Sequence, residues 1–428
     1  MTEQEIADLG PAFAGYLNRY RPCFLQKRTA AHFGTYCRGL LSDLPRKSVE
    51  PIALEAGTAV RTLQEFLVTA RWDHECGRDL LQQKLAAAVV DLPADDLGTV
   101  GVIDETSCQK WGEQTPGVQR QYLGCVGKID NGIVTVHVAV AKGTFQALLD
   151  ADLYLPQSWA GDRERCRAAG IPDAVGYRSK WRIALDQLIR LSDNGVSFDW
   201  LTFDEGYGSK VPFLWVLGVI GQKFVAEVPK NFTVKASDSG VSQRADDYQP
   251  GVKTTRWTRF RLARKTQADQ VWRAKGTRVW AADGWHLLVT AVNEKTGEVK
   301  FFVTNAVDQA LERVLRVAFR RATVEHAFRL AKQEAGLMHY EGRHDTGLMR
   351  HLILSLIVLG FVAEQTQRLR GEKSGGDGGA SLSGVEPAVC GSVPPSSEYS
   401  GTTTYERSHP VSPTAEQAGD DVSQEAAA

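Results

Sequence analysis

Three acidic residues have the types and local settings expected of a divalent-metal site. Asp104 follows the run VGVI and Asp204 follows the run WLTF, and both runs resemble buried strands. Glu325 lies in RATVEHAFRLAK, which has helical character. Carboxylate oxygens suit Mg²⁺ or Mn²⁺. Two such ions can hold the attacking and leaving oxygens of a phosphodiester displacement, so we expect two ions at these residues.

Each strand-end aspartate is followed directly by a glutamate, so the sequence offers two candidate ligands at each point. Glu105 follows Asp104, and Glu205 follows Asp204. Because side chains alternate between the faces of a strand, Glu105 should lie on the face opposite Asp104. We therefore favour the aspartate of each pair, although a single acid at a strand end is commonly a cap or turn residue.

The surrounding segments predict a mixed α/β sheet. Residues 100–142 read as a three-stranded antiparallel meander, because Asp130-Asn131-Gly132 between apolar runs is a strong hairpin signal. Downstream, helical and strand patterns alternate, which favours an α/β fold. The predicted elements are helix 178–193, the Asp204 strand, helix 209–220 and strand 223–228.

Residues 1–95 predict a helical domain with a basic segment. Between positions 19 and 47 seven basic residues accompany one acid: Arg19, Arg21, Lys27, Arg28, Arg38, Arg46 and Lys47, with Asp43. The stretch KSVEPIALEAGTAVRTLQEFLVTARW then predicts two helices with a turn at Gly57, and Thr58 or Thr62 could cap the second. Either a helix-turn-helix that binds DNA or an ordinary helical hairpin fits this pattern.

The alternation of predicted helices and strands stops at residues 230–310, which predict a β-rich insertion. The insertion belongs to a second predicted domain, residues 96–370. Nine basic residues and one acid lie between Lys253 and Arg278. Four tryptophans fall within the insertion: Trp257, Trp272, Trp280 and Trp285. Burial is the expected role for each tryptophan taken singly. Helices are predicted again over 308–334 and 346–369.

Composition favours a nucleic-acid partner and a cytoplasmic location. Residues 371–428 carry two basic and nine acidic residues, whereas residues 1–370 carry 48 basic and 42 acidic ones. We expect the acidic, Gly- and Ser-rich tail to be disordered. Seven scattered cysteines without a CxxC pair suit a reducing compartment. The apolar run 352–363 is short for a membrane span and predicts a buried helix.

Three motifs together resemble those of DDE-superfamily insertion-sequence transposases. They are VIDETSCQKWG, TFDEGYG and RRATVEHAFRLAKQEAGLMHYEGR. Cut-and-paste transposases of this kind carry a Tyr-x2-Arg-x3-Glu-x6-Lys signature, and Arg321, Glu325 and Lys332 stand at the matching spacings. The tyrosine position is Ala318. The resemblance covers roughly residues 20–365 and implies a ribonuclease-H-like catalytic core.

The resemblance implies a function in DNA transposition. Asp104, Asp204 and Glu325 would ligate two Mg²⁺ or Mn²⁺ ions, while Arg321 and Lys332 would hold phosphates of the element's end. The expected partners are double-stranded DNA and a second copy of the chain in the DNA complex. A tryptophan of the insertion holds a flipped base in related transposases.

Two other classes of protein compete with this interpretation. A sequence-specific DNA-binding protein with an inactive core would share the fold, although intact Asp104, Asp204 and Glu325 argue against it. A glycoside hydrolase would also use paired carboxylates, but basic helices do not serve that chemistry. The three histidines His339, His344 and His351 have only loose spacing, so a structural role is expected for them.

Overall fold

A computed structural model describes residues 3–248, 256–262 and 270–374. Parts of the predicted insertion (249–255 and 263–269) and the predicted tail from residue 375 lie outside the described residues. The α-helices are α1 (Glu3–Asn18), α2 (Lys27–Leu41), α3 (Val49–Glu55), α4 (Val60–Val68), α5 (His74–Asp91), α6 (Gln157–Ala160), α7 (Arg163–Ala168), α8 (Lys180–Asp193), α9 (Glu205–Gly208), α10 (Val211–Val219), α11 (Leu311–Glu334) and α12 (Asp345–Ser374). The strands are β1 (Val100–Gln109), β2 (Gln119–Leu123), β3 (Lys128–Lys142), β4 (Phe145–Leu153), β5 (Trp200–Phe203), β6 (Phe224–Val228), β7 (Thr233–Val234), β8 (Gln243–Arg244), β9 (Thr258–Leu262), β10 (Gln270–Ala281), β11 (Gly284–Asn293) and β12 (Val299–Thr304).

A mixed sheet forms the centre of the fold. Strands β4, β3 and β1 pair antiparallel, and β5 and β6 continue from β1 in parallel. The connection from β5 to β6 passes through α9 and α10, as parallel pairing requires. The predicted mixed α/β sheet of ribonuclease-H-like type is therefore confirmed.

The β-rich insertion extends this same sheet. Strand β12 pairs antiparallel with β6, and β11, β10 and β9 follow outward to complete ten strands within the described residues. The β10–β11 hairpin turns at Ala282 and Asp283, both with positive φ (46° and 56°). Two successive positive-φ residues are the geometry of a type I′ turn, which matches the twist of the flanking strands.

The predicted hairpin turn at Asp130-Asn131-Gly132 is wrong. Strand β3 runs straight through these residues, and the turn comes earlier, where Gly127 has φ 66°. Gly132 is paired on both edges, with Gln109 of β1 and Gln119 of β2. A Cβ at Gly132 would lie 2.3 Å from the Cys108 carbonyl oxygen. This glycine allows close strand approach, so long-range pairing overrides the local turn signal.

The N-terminal helices share a core with α12. Helix α4 buries Leu63, Phe66 and Leu67 at helical spacing, while α2, α4 and α5 all contact α12. Arg350 of α12 donates to the carbonyl oxygens of Leu67 at 3.0 Å and Trp72 at 2.8 Å. Its guanidinium also lies 4.7 Å from the centre of the Trp72 ring. This buried arginine satisfies the Leu67 carbonyl, near the end of α4 where a helix leaves its carbonyls unpaired, and the Trp72 carbonyl beyond the helix.

Helices α3 and α4 form the predicted helical pair. Gly57 between them has φ 60°, which suits the sharp turn. The expected threonine cap is wrong, because Ala59 is the N-cap of α4 and makes no side-chain bond.

Helix α12 is apolar and long enough, by length and composition alone, to cross a membrane. In its most apolar window 78% of the residues are buried inside the protein. Residues 352–362 are all buried, against the N-terminal helices and β4. The prediction of a buried helix here is confirmed.

Candidate functional site

Asp104 and Asp204 lie at the same level of two neighbouring parallel strands. Strands β1 and β5 pair with Ile103 opposite Phe203, so an aspartate follows next in each. Asp104 is still within β1, whereas Asp204 ends β5 and is the N-cap of α9. The backbone register therefore brings these two aspartates to the same level of the sheet, on neighbouring strands.

Backbone N–H groups hold one oxygen of each carboxylate. Asp104 Oδ1 accepts a hydrogen bond from the N–H of Glu105 at 2.8 Å. Asp204 Oδ1 accepts from the N–H groups of Gly206 at 3.0 Å and Tyr207 at 3.3 Å. These bonds orient the carboxylates while the second oxygen of Asp104 faces Arg321 Nη1 at 3.7 Å.

The surroundings of Asp104 disfavour the ionised form of its carboxyl group. Burial raises the pKa of Asp104 to about 7; the Arg321 guanidinium opposes this shift, and the Asp204 carboxylate adds to it. A buried carboxylate beside a second one ionises more readily when a cation is near. Arg321 supplies a positive charge at this point, where a divalent ion would supply more.

The two acids that follow the aspartates lie elsewhere. Glu105 pairs with Lys180 of α8, its Oε2 atom 2.7 Å from Nζ. Because neighbouring residues of a strand face opposite ways, α8 and α11 cover opposite faces of the sheet at this level. Glu205 lies in α9 and is exposed. The preference for Asp104 over Glu105 agrees with this geometry.

Arg321 of α11 is held within a cluster of acids. Its side chain is only 23% exposed, and Nη2 lies 3.2 Å from Glu227 Oε2. Burial lowers the pKa of Arg321, but the nearby acids raise it by more than burial lowers it, so the net shift is upward. These acids are Asp104, Glu227, Asp204 and Glu325. A solvated charge on an open helix face is therefore excluded for Arg321.

Sequence reasoning missed Glu227. This residue of β6 joins Arg321 to Lys300 of β12, with 2.5 Å between its Oε1 atom and Lys300 Nζ. The only local signal is an acid in the apolar strand FVAEV. A cavity of about 530 Å³ lies beside it, lined among others by Glu205, Lys230 and Arg244.

Glu325 and Lys332 occupy later turns of α11. Glu325 is exposed one turn after Arg321 and acts on the charge of that arginine. Lys332 lies half-buried farther along. Burial and then the charge of Lys332 lower the pKa of His137 to about 3. Of these three α11 residues, Arg321 faces Asp104, at 3.7 Å, and the other two follow one and three turns later.

The four tryptophans of the insertion divide by exposure. Trp272 is 1% exposed and packs in the core, whereas Trp257 and Trp285 are 40% and 43% exposed. The cationic groups of Arg273 and Lys275 lie 5.2 and 5.3 Å from the Trp257 ring centre. That of Arg278 lies 5.5 Å from the Trp285 ring centre. The expectation of burial therefore holds for Trp272 and is wrong for these two exposed residues.

Lys47, counted within the basic N-terminal segment, has a structural position. It is 3% exposed, and its Nζ donates to the carbonyl oxygens of Leu40 at 3.0 Å and Glu334 at 2.5 Å. Carbonyls at helix C-termini lack partners within the helix, so Lys47 caps α2 and α11 together. Its position therefore gives it no route to a DNA phosphate.

The histidines near the C-terminal helices have structural contacts. His351 is buried and bonds through Nδ1 to the Tyr36 hydroxyl at 2.9 Å and through Nε2 to the Gly336 carbonyl at 2.8 Å. His339 Nδ1 accepts from the N–H of Lys47 at 2.9 Å. These bonds agree with the structural role expected for them.

The aspartate pair has the donor chemistry of a divalent-metal site. Both residues offer hard oxygen atoms, and Asp104 Oδ2 already faces a cation of the protein. Within the described residues, no three His, Cys, Asp or Glu side chains are gathered closely enough to hold an ion. Asp104 and Asp204 thus offer hard oxygen atoms at the ends of neighbouring strands, and Glu325 is not gathered with them in this arrangement.

Comparison with known proteins gives one family and one relative. A family model described as DDE superfamily endonuclease matches residues 19–291, which include both aspartates and end before Arg321. The probable transposase for insertion sequence element IS701 of Microchaete diplosiphon is 32% identical over 224 residues, or 51% of this chain and 54% of that protein. The chain thus spans about half the length of the curated relative it matches.

Proposed function

The chain belongs to the DDE superfamily endonucleases, and we propose that it is the transposase of an insertion sequence. It binds the ends of a mobile DNA element and catalyses metal-dependent cleavage and strand transfer. The observation that supports this proposal is the register of β1 and β5, in which Ile103 pairs with Phe203 directly before Asp104 and Asp204. The name of its relative, a probable transposase, supports the same activity.

The aspartates would hold the catalytic ions, with Glu325 as the third ligand. Bound Mg²⁺ or Mn²⁺ would stabilise the charge that develops on the attacking and leaving oxygens of the phosphodiester. Asp104 and Asp204 suit this task because backbone N–H groups already fix their orientation. Glu325 lies four residues after Arg321 on α11, so the two side chains project from the same side of the helix.

Arg321 and Lys332 would hold the DNA backbone. Arginine can grip a phosphate with two parallel hydrogen bonds, whereas lysine acts as a point charge. Arg321 lies beside Asp104 and would contact the reacting phosphate. Lys332 lies farther along α11 and would contact a phosphate away from the cleavage point.

The insertion would contribute an aromatic contact. Bases stack on exposed aromatic rings, and each stacked base contributes about 1–3 kcal/mol. Trp257 and Trp285 are exposed and have cationic groups over or beside their rings, so they are better candidates for a flipped base than Trp272. The N-terminal helical domain, residues 1–95, would bind the end of the mobile element. A second copy of the chain would complete the DNA complex. The protein would act in the cytoplasm.

The proposal is tested by cleavage of a labelled duplex that carries the inverted repeats flanking the coding sequence. We expect Mg²⁺-dependent cleavage that EDTA abolishes. Asp104→Asn, Asp204→Asn and Glu325→Gln should each remove cleavage while leaving binding to the duplex largely intact. Glu105→Gln is the matched control, because Glu105 is adjacent in sequence and pairs with Lys180.

Three results would contradict the proposal in different ways. Specific binding without cleavage would favour a DNA-binding protein with an inactive core. Cleavage that resists EDTA would remove the metal requirement. Near-normal cleavage by one acidic variant would remove that residue from the site.

A further inference from the structure

Trp111 is the most exposed large hydrophobic side chain of the described residues, at 91%. It lies in the loop between β1 and β2, within the motif VIDETSCQKWG. A tryptophan gains much of its stabilising effect by burying about 150–250 Å² of surface. Trp111 contributes almost none of this to the fold, so its position calls for a partner outside the chain.

The backbone on both sides of Trp111 is fixed. Asn131 Nδ2 donates to the carbonyl oxygens of Lys110 at 2.7 Å and Gly112 at 3.0 Å, the two residues that flank the tryptophan. In return, the Lys110 N–H donates to the Asn131 carbonyl at 2.9 Å. The protein therefore holds the loop in place and presents the indole ring to solvent, and such preorganisation lowers the entropic cost of binding.

Two lysines lie near the segment that leads into this loop. Lys110 Nζ donates to the Tyr340 carbonyl at 2.5 Å, a partner without formal charge. Burial raises the pKa of the Cys108 thiol, and the charges of Lys110 and Lys332 both oppose that shift. Cys108 is three residues before Trp111 in the chain.

We infer that Trp111 is a stacking surface for an unpaired or splayed base of the bound DNA, next to a phosphate contact made by Lys110 and Lys332. This inference rests on the proposed function. Aromatic rings bind bases of any sequence, because every base presents a flat π face.

The spacing along β1 sets where this contact falls on the DNA. Seven residues separate Asp104 from Trp111, and a strand rises about 3.3 Å per residue, so the ring lies at most about 23 Å from the aspartates. Stacked nucleotides of one strand are about 3.4 Å apart. The stacked base is therefore at most about six or seven nucleotides from the reacting phosphate.

The test compares two fluorescein-labelled 40-base-pair duplexes, one fully paired and one with a three-base mismatched bubble. Fluorescence anisotropy with the full chain gives a Kd for each. Wild type should prefer the bubble, and Trp111→Ala should weaken bubble binding about 5- to 150-fold, equivalent to about 1–3 kcal/mol. Trp111→Phe should keep most of the affinity.

Two further variants separate stacking from other effects. Trp215→Ala removes another exposed tryptophan, 47% exposed on α10, and should bind both duplexes like wild type. Asn131→Ala leaves Trp111 in place but releases its loop, so we expect a loss of bubble affinity of several-fold. The fold should survive Trp111→Ala because the side chain makes so little contact.

Equal bubble affinity of Trp111→Ala and wild type would overturn the inference alone, provided that wild type binds DNA. A Trp111→Ala variant that keeps its DNA affinity but changes its sedimentation would show that the surface serves a second copy of the chain. Failure of wild type to bind either duplex would overturn the proposed function as well.

Discussion

The two aspartates and the α11 residues reach the site by different means. Asp104 and Asp204 are placed by backbone hydrogen bonds between β1 and β5, which leave little freedom in their separation. Arg321 and Glu325 are placed by the position of α11 over the sheet, and side-chain ion pairs to Asp104 and Glu227 hold Arg321 there. We call Asp104 and Asp204 the sheet half of the site, because the sheet itself fixes their positions. Arg321 and Glu325 are the helix half, and the ion pairs that hold Arg321 can be replaced by other charged partners.

This difference separates two tasks. Under the proposed function, the sheet half would bind a cation before DNA arrives, because backbone N–H groups already orient both of its carboxylates. In the helix half, Arg321 supplies the positive charge beside Asp104 that a divalent ion would supply when bound. We therefore expect the aspartates to control binding of the ion to the free protein, and the helix residues to matter most in the DNA complex.

The largest expected effect concerns binding of Mn²⁺ to the DNA-free protein, measured by calorimetry. Loss of groups that merely support a ligand costs about 10- to 100-fold in metal affinity, so Asp104→Asn and Asp204→Asn should weaken binding at least about 100-fold. Glu325→Gln should weaken it less than about 10-fold, because Glu325 is exposed and is not gathered with the pair.

This comparison fails if Glu325→Gln weakens Mn²⁺ binding as strongly as the aspartate variants do. The three carboxylates would then form one site in the free protein, and the distinction between sheet and helix would have no consequence for the ion. Glu105→Gln serves as the control and should bind Mn²⁺ like wild type.

The next effect concerns Arg321. Hydrogen bonds to charged groups contribute about 1.5–3 kcal/mol, so Arg321→Ala should slow single-turnover cleavage roughly ten- to a hundredfold. Arg321→Lys should recover only part of this rate, because lysine lacks the planar fork of donors. The loss should be larger in rate than in overall DNA affinity, since the contact lies at the reacting phosphate.

Arg316 provides a matched control on the same helix. It pairs with Asp96 at 3.3 Å on the surface, where ion pairs contribute about 0–1 kcal/mol. Arg316→Ala should therefore leave the cleavage rate nearly unchanged. Wild-type rates for Arg321→Ala on both pre-cut and uncut ends would show that its contacts with Asp104 and Glu227 do not serve the reaction.

The sequence predicted the strands that carry Asp104 and Asp204 better than it predicted the rest of the molecule. Apolar runs that end in an aspartate predict strands and their carboxylates directly, and the period of two correctly separated Asp104 from Glu105. The Asn131-Gly132 turn misled because its local signal carries no information about pairing on both edges of β3.

Contacts between segments that are distant in the chain could not be predicted from the sequence. Lys47 reads as one member of a basic run, yet it caps a helix that ends 287 residues later in the chain. Glu227 joins Arg321 only because β6 lies beneath α11 in the folded protein. Both are side chains whose role depends on tertiary contacts, and a local pattern cannot identify such residues.

The smallest effect tests the claim that backbone geometry fixes Asp204. This residue is the N-cap of α9, and asparagine caps a helix about as well as aspartate, whereas alanine loses about 0.5–2 kcal/mol. Asp204→Asn should therefore keep the stability of wild type, or gain slightly from reduced repulsion of Asp104. Asp204→Ala should have a free energy of unfolding lower by about 1 kcal/mol, measured by urea denaturation. Both variants should lose cleavage to the same extent, because both lack the negative charge. If Asp204→Asn instead unfolds as easily as Asp204→Ala, the charge of Asp204 and not its cap supports this part of the fold, and the position of the carboxylate depends on the cations around it as much as on the sheet.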